Sequence, residues 1–360
     1  MDRARVKLAI ACRDVRGVTG TTTTILEHSR RLAALGWEVH VFGERLDSAR
    51  IRDAGAHPRR VPAWPFGSAF KRRLFSWLFE RRLKRERFDL VWGHGDTLTQ
   101  DVLSLHNCVH AAHQCAHDGP LPASSGVGRM HARMLSEKRF RLLIANSELM
   151  KREVAARFRV DEASMAVIHP GHDPKRFHPA GRRPAGELSV GLITSGDFAK
   201  RGVSVFIEAV SRLRTRVRCL IMGQERRLAP YLRQAAQAGV ADRIRFLPPD
   251  PAVEGYYRSL DLYVHPALYE EFGQSVQEAA ACGIPVLTNR RVGAAELLRG
   301  AALEGVIPGT GAAELAAAME RILSTPDLRE RMAEDAAASV RHNTWDENFR
   351  KTYPLLKGLK

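Results

Sequence analysis

The sequence predicts an α/β protein built from two doubly wound, Rossmann-like domains, and three observations carry that reading. Short apolar runs alternate with helix-period segments through both halves of the chain. A Pro- and Gly-rich stretch, Val167 to Glu187, interrupts the alternation near the middle. The length of 360 residues exceeds the size at which a single hydrophobic core stops growing. Parallel sheets with helices on both faces bury such runs, and two such domains facing one another leave a cleft at the carboxyl ends of their strands.

In chain order, the first half reads as strand "VKLAIAC", helix "TTTILEHSRRLAALG" and strand "WEVHVFG". Strands "FDLVWGHG", "DVLSLH" and "RLLIANS" follow, then helix "ELMKREVAARF". After the interruption come strand "LSVGLITSG", helix "VSVFIEAVSRLRT", and strands "VRCLIMGQ", "RIRFLPP" and "LDLYVHPA". The small-residue helix "SVQEAAA" is stopped by Gly283 and Pro285 before one more strand. Thr344 is placed to cap a last helix in "TWDENFRKTYPLLKGLK". The expected division is therefore a first domain over 1–170, a linker over 171–187, a second domain over 188–343, and a terminal helix over 344–360.

The formal charge is +16, and the excess lies in the first half: residues 1–180 carry 31 Lys+Arg against 19 Asp+Glu, the remainder 25 against 21. Such a field attracts polyanions without choosing among nucleic acid, acidic lipid and phosphorylated sugar. No aromatic-basic recognition pattern accompanies it, so a nucleic-acid partner is not expected. No run of eighteen apolar residues and no basic-then-apolar leader is present, which leads to an expectation of a cytoplasmic protein, peripheral at most at the inner face of the membrane. Five scattered cysteines fit reduced thiols rather than a disulfide framework. The segment Phe66–Asp89 gathers Phe70, Leu74, Trp77, Leu78 and Leu83 with flanking Lys and Arg. It reads either as a helix packing an apolar face on the sheet or as a basic amphipathic helix in an anionic membrane interface, and the two are compatible.

Two segments carry chemistry. In "HPALYEEFGQSVQEAAACGIPV", Glu270 and Glu278 stand eight positions apart around the turn Phe272, Gly273, Gln274 and Ser275, where a helix opens. A helix N-terminus offers unpaired N–H groups and positive dipole to a phosphate, and flanking carboxylates accept hydroxyls. The pattern suits a nucleotide-sugar, although Glu near a helix start is also favoured by the dipole alone. In "SGDFAKRGVSVFIEAV", Gly196 opens a turn and Lys200 and Arg201 precede a helix start, placing two cations where a diphosphate can be neutralised; a solvated basic corner is the alternative.

These blocks resemble the retaining glycosyltransferases of family 4, whose signature is Glu, seven residues, Glu, then a helix and "GIPV". "DFAKRG" is similar to the family's "DFxRKG" with its two cations exchanged. The resemblance covers nearly the whole chain and implies the GT-B architecture, with the nucleotide sugar on the second domain and the acceptor on the first. It implies that Lys200 and Arg201 lie on the donor phosphates and that Glu270 binds hydroxyls of the transferred sugar. Backbone N–H groups of Phe272, Gly273 and Gln274 would lie near sugar and phosphate, and Glu278 would take the ribose. Gly20 falls on the second glycine of the family's Gly-Gly loop, with Thr19 in place of the first and its hydroxyl available to a ligand. His106 resembles the histidine that faces the donor sugar.

The implied reaction is transfer of a hexose, from a UDP-hexose as a family-level expectation, to a glycan or lipid-linked acceptor of the cell envelope such as lipopolysaccharide. No resident cofactor or metal is implied. A nucleotide-sugar epimerase or hydrolase is the alternative within the fold. His106, His110, His113 and His117 recur at helical spacing beside Cys108 and Cys115, which admits a zinc site or, more in keeping with the spacing, a packed or acceptor-facing polar helix.

Overall fold

The computed structural model describes residues 5–17, 19–63, 68–117, 119–181, 186–194 and 196–360. The chain divides into two compact units, one of Met1–Pro170 with Trp345–Lys360 and the other of Gly171–Thr344. The terminal helix Trp345–Gly358 thus belongs to the first unit.

The first unit contains strands β1 (Lys7–Ala11), β2 (Asp14–Val15), β3 (Glu38–Gly43), β4 (Arg45–Leu46), β5 (His57–Arg60), β6 (Leu90–Gly93), β7 (Val102–Leu105), β8 (Leu142–Ala145) and β9 (Met165–Val167). Seven form a parallel sheet in the order β5-β3-β1-β6-β7-β8-β9, while β2 and β4 make a separate pair. Alternation along β1 sorts its side chains. Leu8 and Ile10 face a core shared with Ile25, Leu32 and Leu356, whereas Ala9 and Ala11 face Phe42, Phe75 and Phe79. The helices Gly20–Ala34 and Trp345–Gly358 contribute to the first core, and Ser68–Leu83 to the second. Asn348 ties the terminal helix down: its Oδ1 lies 2.8 Å from His28 Nε2 and its Nδ2 donates to the His169 carbonyl at 2.7 Å.

The helix Ser68–Leu83 corrects the expected apolar face. Phe75 and Phe79, one turn apart, are fully buried, and Phe79 packs edge-on against Phe42 with ring centroids 5.2 Å apart. Burial of two such rings contributes roughly 1.5–3 kcal/mol each, so they fix the helix's rotation. Leu78 and Leu83 pack only at the margin, and Phe70 and Trp77 are left about half exposed. Phe66 and Gly67, the start of that segment, lie outside the described residues.

The second unit holds β10 (Ser189–Ile193), β11 (Arg218–Met222), β12 (Ile244–Leu247), β13 (Leu262–His265), β14 (Val286–Asn289) and β15 (Val306–Ile307), all parallel, in the order β12-β11-β10-β13-β14-β15. The chain builds outward from β10 through β11 to β12, then returns to the other side of β10 with β13. The switch point therefore falls between β10 and β13. Leu262 and Val264 face one core with Phe206 and Ile207, while Tyr263 faces another with Tyr257, Val276 and Ala280. His265, two residues on, stacks on Tyr263. Residues 171–187, read from sequence as a linker, join this unit where described: Phe177 lies in its core and Arg176 pairs with Glu254 at 2.6 Å.

Candidate active site

The loops after β10 and β13 share the crevice at the switch point and are fastened together. In the first, Gly196 hydrogen-bonds Thr194 Oγ1 through its N–H, and Asp197 takes a left-handed conformation, φ +55°, so that its carboxylate accepts from Lys200 N. The turn ends at Gly202, φ +72°, which caps the helix Val203–Ser211. A Cβ at Gly202 would lie 2.0 Å from the Pro266 carbonyl oxygen in the second loop, a contact only glycine allows. Leu268 N donates to the Lys200 carbonyl at 2.9 Å and closes the pair of loops.

Across this junction the predicted side chains meet. Arg201 pairs with Glu270, and Lys200 Nζ lies 3.3 Å from Glu271 Oε2. His265 Nε2 approaches Glu270 at 3.7 Å while its Nδ1 lies 3.3 Å from the Tyr263 hydroxyl. Burial, reinforced by the Arg201 charge, depresses His265 to about 3, so it is a neutral partner at physiological pH. Burial also pulls Arg201 down, against the opposing pull of Glu271 and Asp197.

The second loop runs into the helix Gln274–Ala281. Gly273, φ +93°, is its N-cap and makes no side-chain cap, as is true of Gly202. Two helix N-termini without side-chain caps therefore open at the same end of the sheet, a setting that favours anions. Phe272 is buried with its carbonyl accepting from Ala294 N at 2.6 Å, Gln274 Nε2 donates to the Gly171 carbonyl, and Ser275 bonds Tyr263. Glu278, a turn further on, accepts from the Tyr257 hydroxyl at 2.9 Å. Burial pushes its carboxyl up to about 7, with Tyr257 and Arg176 pulling the other way.

Gly20 and His106 belong to the first unit. Gly20 is the first residue of its helix. Thr19 is the N-cap, its Oγ1 accepting from Thr22 N at 3.2 Å and lying 3.0 Å from Thr22 Oγ1. His106 directly follows β7 and its Nε2 lies 2.8 Å from His94 Nδ1, the rings stacked 5.1 Å apart; burial depresses it to about 4. The helix starts at Val109, so His106 does not share the face of His110, His113 and His117. Among the described residues no group of three or more His, Cys, Asp or Glu side chains is placed to hold a metal.

Family models agree with this division. Residues 18–176 match the model "Glycosyltransferase Family 4", and residues 190–339 match "Glycosyl transferases group 1". The chain belongs to glycosyltransferase family 4. A D-inositol 3-phosphate glycosyltransferase of Streptomyces bingchenggensis is 27% identical to this glycosyltransferase over 381 residues, covering 91% of the chain and 82% of the relative. Among solved structures, WaaG, a glycosyltransferase involved in lipopolysaccharide biosynthesis, superposes with a TM-score of 0.81 at 19% identity, over 98% of this chain and 100% of that one. Anabaena HepE in complex with UDP and glucose gives 0.78 at 18% identity, with 98% and 100% covered. At these identities the likeness is one of fold, the two parallel-sheet domains of GT-B glycosyltransferases.

Sequence reasoning passed over several residues of the glycosyltransferase's site. Glu271 stood inside the quoted motif without a role, and His265, Tyr257, Arg176 and His94 carried no local signal beyond a polar group in or next to an apolar run. Tertiary packing brings them to the site: β6 pairs with β7 beside His94 and His106, and the helix carrying Tyr257 packs on the helix of Glu278.

Proposed function

We propose that this family 4 glycosyltransferase is a retaining enzyme that moves a hexose from a UDP-hexose to a hydroxyl of a glycan or lipid-linked acceptor in cell-envelope polysaccharide or lipopolysaccharide synthesis. The observation that carries the proposal is the meeting, at one switch point, of two adjacent cations, two uncapped helix starts and the Glu270/Glu278 pair. Lys200 and Arg201 stabilise the charge that grows on the departing diphosphate, supplying electrostatics fixed in advance of the reaction. Glu270, steadied by His265, accepts hydroxyls of the transferred sugar, and Glu278 accepts those of the ribose. The bond from the anomeric carbon to the β-phosphate oxygen breaks as the acceptor oxygen bonds on the same face, its proton passing to a donor phosphate oxygen. In this reading no divalent cation is needed, the second unit holds the donor, and His106 and Gly20 of the first unit serve the sugar and acceptor.

Two features support the rest. HepE is seen with UDP-glucose, which favours a UDP donor. On the helix Ser68–Leu83, Phe70, Arg73, Trp77 and Arg81 share the exposed side, with Arg81 4.7 Å over the Trp77 ring, and that side suits an anionic membrane surface. No helix among the described residues is long and apolar enough to cross a membrane.

The test is a thermal-shift panel of UDP-, GDP- and ADP-sugars, followed by proton NMR of the product formed on a lipopolysaccharide-type or inositol phosphate acceptor. A UDP-sugar shift and an α-product from an α-donor are expected. Donor consumption without an acceptor would favour the epimerase or hydrolase reading, and an inverted product would remove the retaining mechanism.

A further inference from the structure

We infer that Glu271 is a release residue: its carboxylate competes with the bound nucleoside diphosphate for Lys200 and thereby weakens ground-state and product binding. The inference rests on the donor-site reading above. Lys200 Nζ lies 3.3 Å from Glu271 Oε2, and its neighbour Arg201 is paired with Glu270, so each cation of the turn already faces a carboxylate. The junction is close to neutral where a diphosphate dianion is to be taken up.

The two ends of the Lys200 pair differ in freedom. Glu271 is only 3% exposed, and the backbone on both sides of it is pinned: Glu270 N donates to the Arg291 carbonyl, Gly293 N to the Glu270 carbonyl and Ala294 N to the Phe272 carbonyl. Its side chain is almost wholly shielded, with 4% exposed. Lys200 is held by its main chain, through Leu268 N, while its four-carbon stem ends at a partly exposed ammonium. A diphosphate therefore draws Lys200 toward itself but cannot displace Glu271, which stays behind as a nearby like charge.

A buried carboxylate is a costly way to fill a loop position, because an ion pair with one flexible partner returns little of its desolvation. An electrostatic role accounts for it. As the glycosidic bond breaks, negative charge on the leaving oxygen grows and the pull on Lys200 exceeds that in the ground state. Lys200 is thus given up most fully at the transition state, and Glu271 reclaims it as the nucleotide leaves. Interactions that strengthen only at the transition state raise turnover, whereas uniform binding does not.

Calorimetric titration of UDP into the full chain tests this, with Glu271→Gln, Lys200→Ala and the double variant alongside the wild type. Glu271→Gln should lower the UDP Kd about tenfold, the scale of a single partly screened charge interaction. Its kcat should not rise, and UDP should become a stronger product inhibitor. In the Lys200→Ala background the same substitution should tighten UDP by about threefold or less. A merely structural role would weaken binding, so tightening that depends on Lys200 separates the two. Glu271→Asp, which keeps the charge and lengthens the pair, should tighten UDP by a smaller factor and serves if the Gln variant does not fold. Unchanged or weaker UDP binding in these Glu271 variants, with the wild type binding UDP, overturns the release role alone. A wild-type chain that binds no UDP sinks the donor-site reading and this inference together.

Discussion

Replacing Glu278 by Gln should make the protein more stable at alkaline pH while harming nucleotide binding. The carboxyl rises from its ordinary 4.5 to about 7 because burial penalises the charged form, and the Tyr257 hydroxyl and Arg176 offset only part of that penalty. Between pH 4.5 and about 7 the folded chain therefore holds a proton that the unfolded chain has lost. Stability must fall as pH rises through that window, and the whole penalty is present above it. At about 1.4 kcal/mol per pH unit the penalty amounts to roughly 3–4 kcal/mol when complete. Part of the side chain reaches solvent, so that figure is a ceiling.

Gln keeps the shape and can still accept from Tyr257 without carrying a charge. The advantage of Glu278→Gln over wild type should grow by roughly 2–3 kcal/mol at most between about pH 5 and about pH 8, measured by urea unfolding without nucleotide. UDP affinity should move oppositely: wild type binds more tightly as pH rises through about 7, because a carboxylate accepts ribose hydroxyls better than a carboxylic acid, while the Gln variant binds weakly with no such trend. An advantage that is equal at both pH values would refute the buried-carboxyl argument. A pH-independent UDP affinity in the wild type would refute the ribose role.

Other substitutions probe other parts of the chain. Lys200→Ala and Arg201→Ala should each lower kcat by roughly a hundredfold with a smaller change in donor Kd, as steady-state kinetics and calorimetry would report; equal losses in both would mean uniform binding. Gly202→Ala should cost about 2 kcal/mol or more, because the new Cβ meets the Pro266 carbonyl at 2.0 Å in a left-handed turn; wild-type stability and UDP affinity would contradict the fastening of the two loops. Asn348→Leu removes the Asn348 hydrogen bonds to the buried His28 and to the His169 carbonyl and should cost about 1–3 kcal/mol in thermal or urea unfolding. Neutralising Arg81, Arg82, Lys84 and Arg85 together should reduce co-sedimentation with anionic vesicles and leave turnover on a soluble acceptor unchanged; equal pelleting would discard the membrane surface.

Those parts of the fold with a strong local pattern were legible in the sequence. The β10 and β13 runs are apolar on both faces, as a strand buried between helix layers must be, and the turn residues Gly196, Gly202 and Gly273 mark where each chain reverses. β5 was not legible: "HPRR" is half exposed at the sheet edge, and its pairing with β3 owes nothing to an apolar run. The Ser68–Leu83 helix misled because aromatic residues occur on two sides of it. Composition gives no reason to prefer Phe75 and Phe79 over Phe70 and Trp77; Phe42 of β3 and Val61, just after β5, decide.

The site divides along the same line. Lys200, Arg201, Glu270 and Glu278 are recognisable because each sits at a fixed offset from a helix start, a local relation that sequence preserves. Their partners are not local. Glu271 meets Lys200 across 71 positions, and Tyr257 meets Glu278 through the packing of one helix on the next. Charges paired at long range cost desolvation that a neutral residue would avoid. The raised carboxyl of Glu278 is one such cost made visible: a fold selected only for stability would place Gln there, and the retained acid is what a hydroxyl-binding role requires.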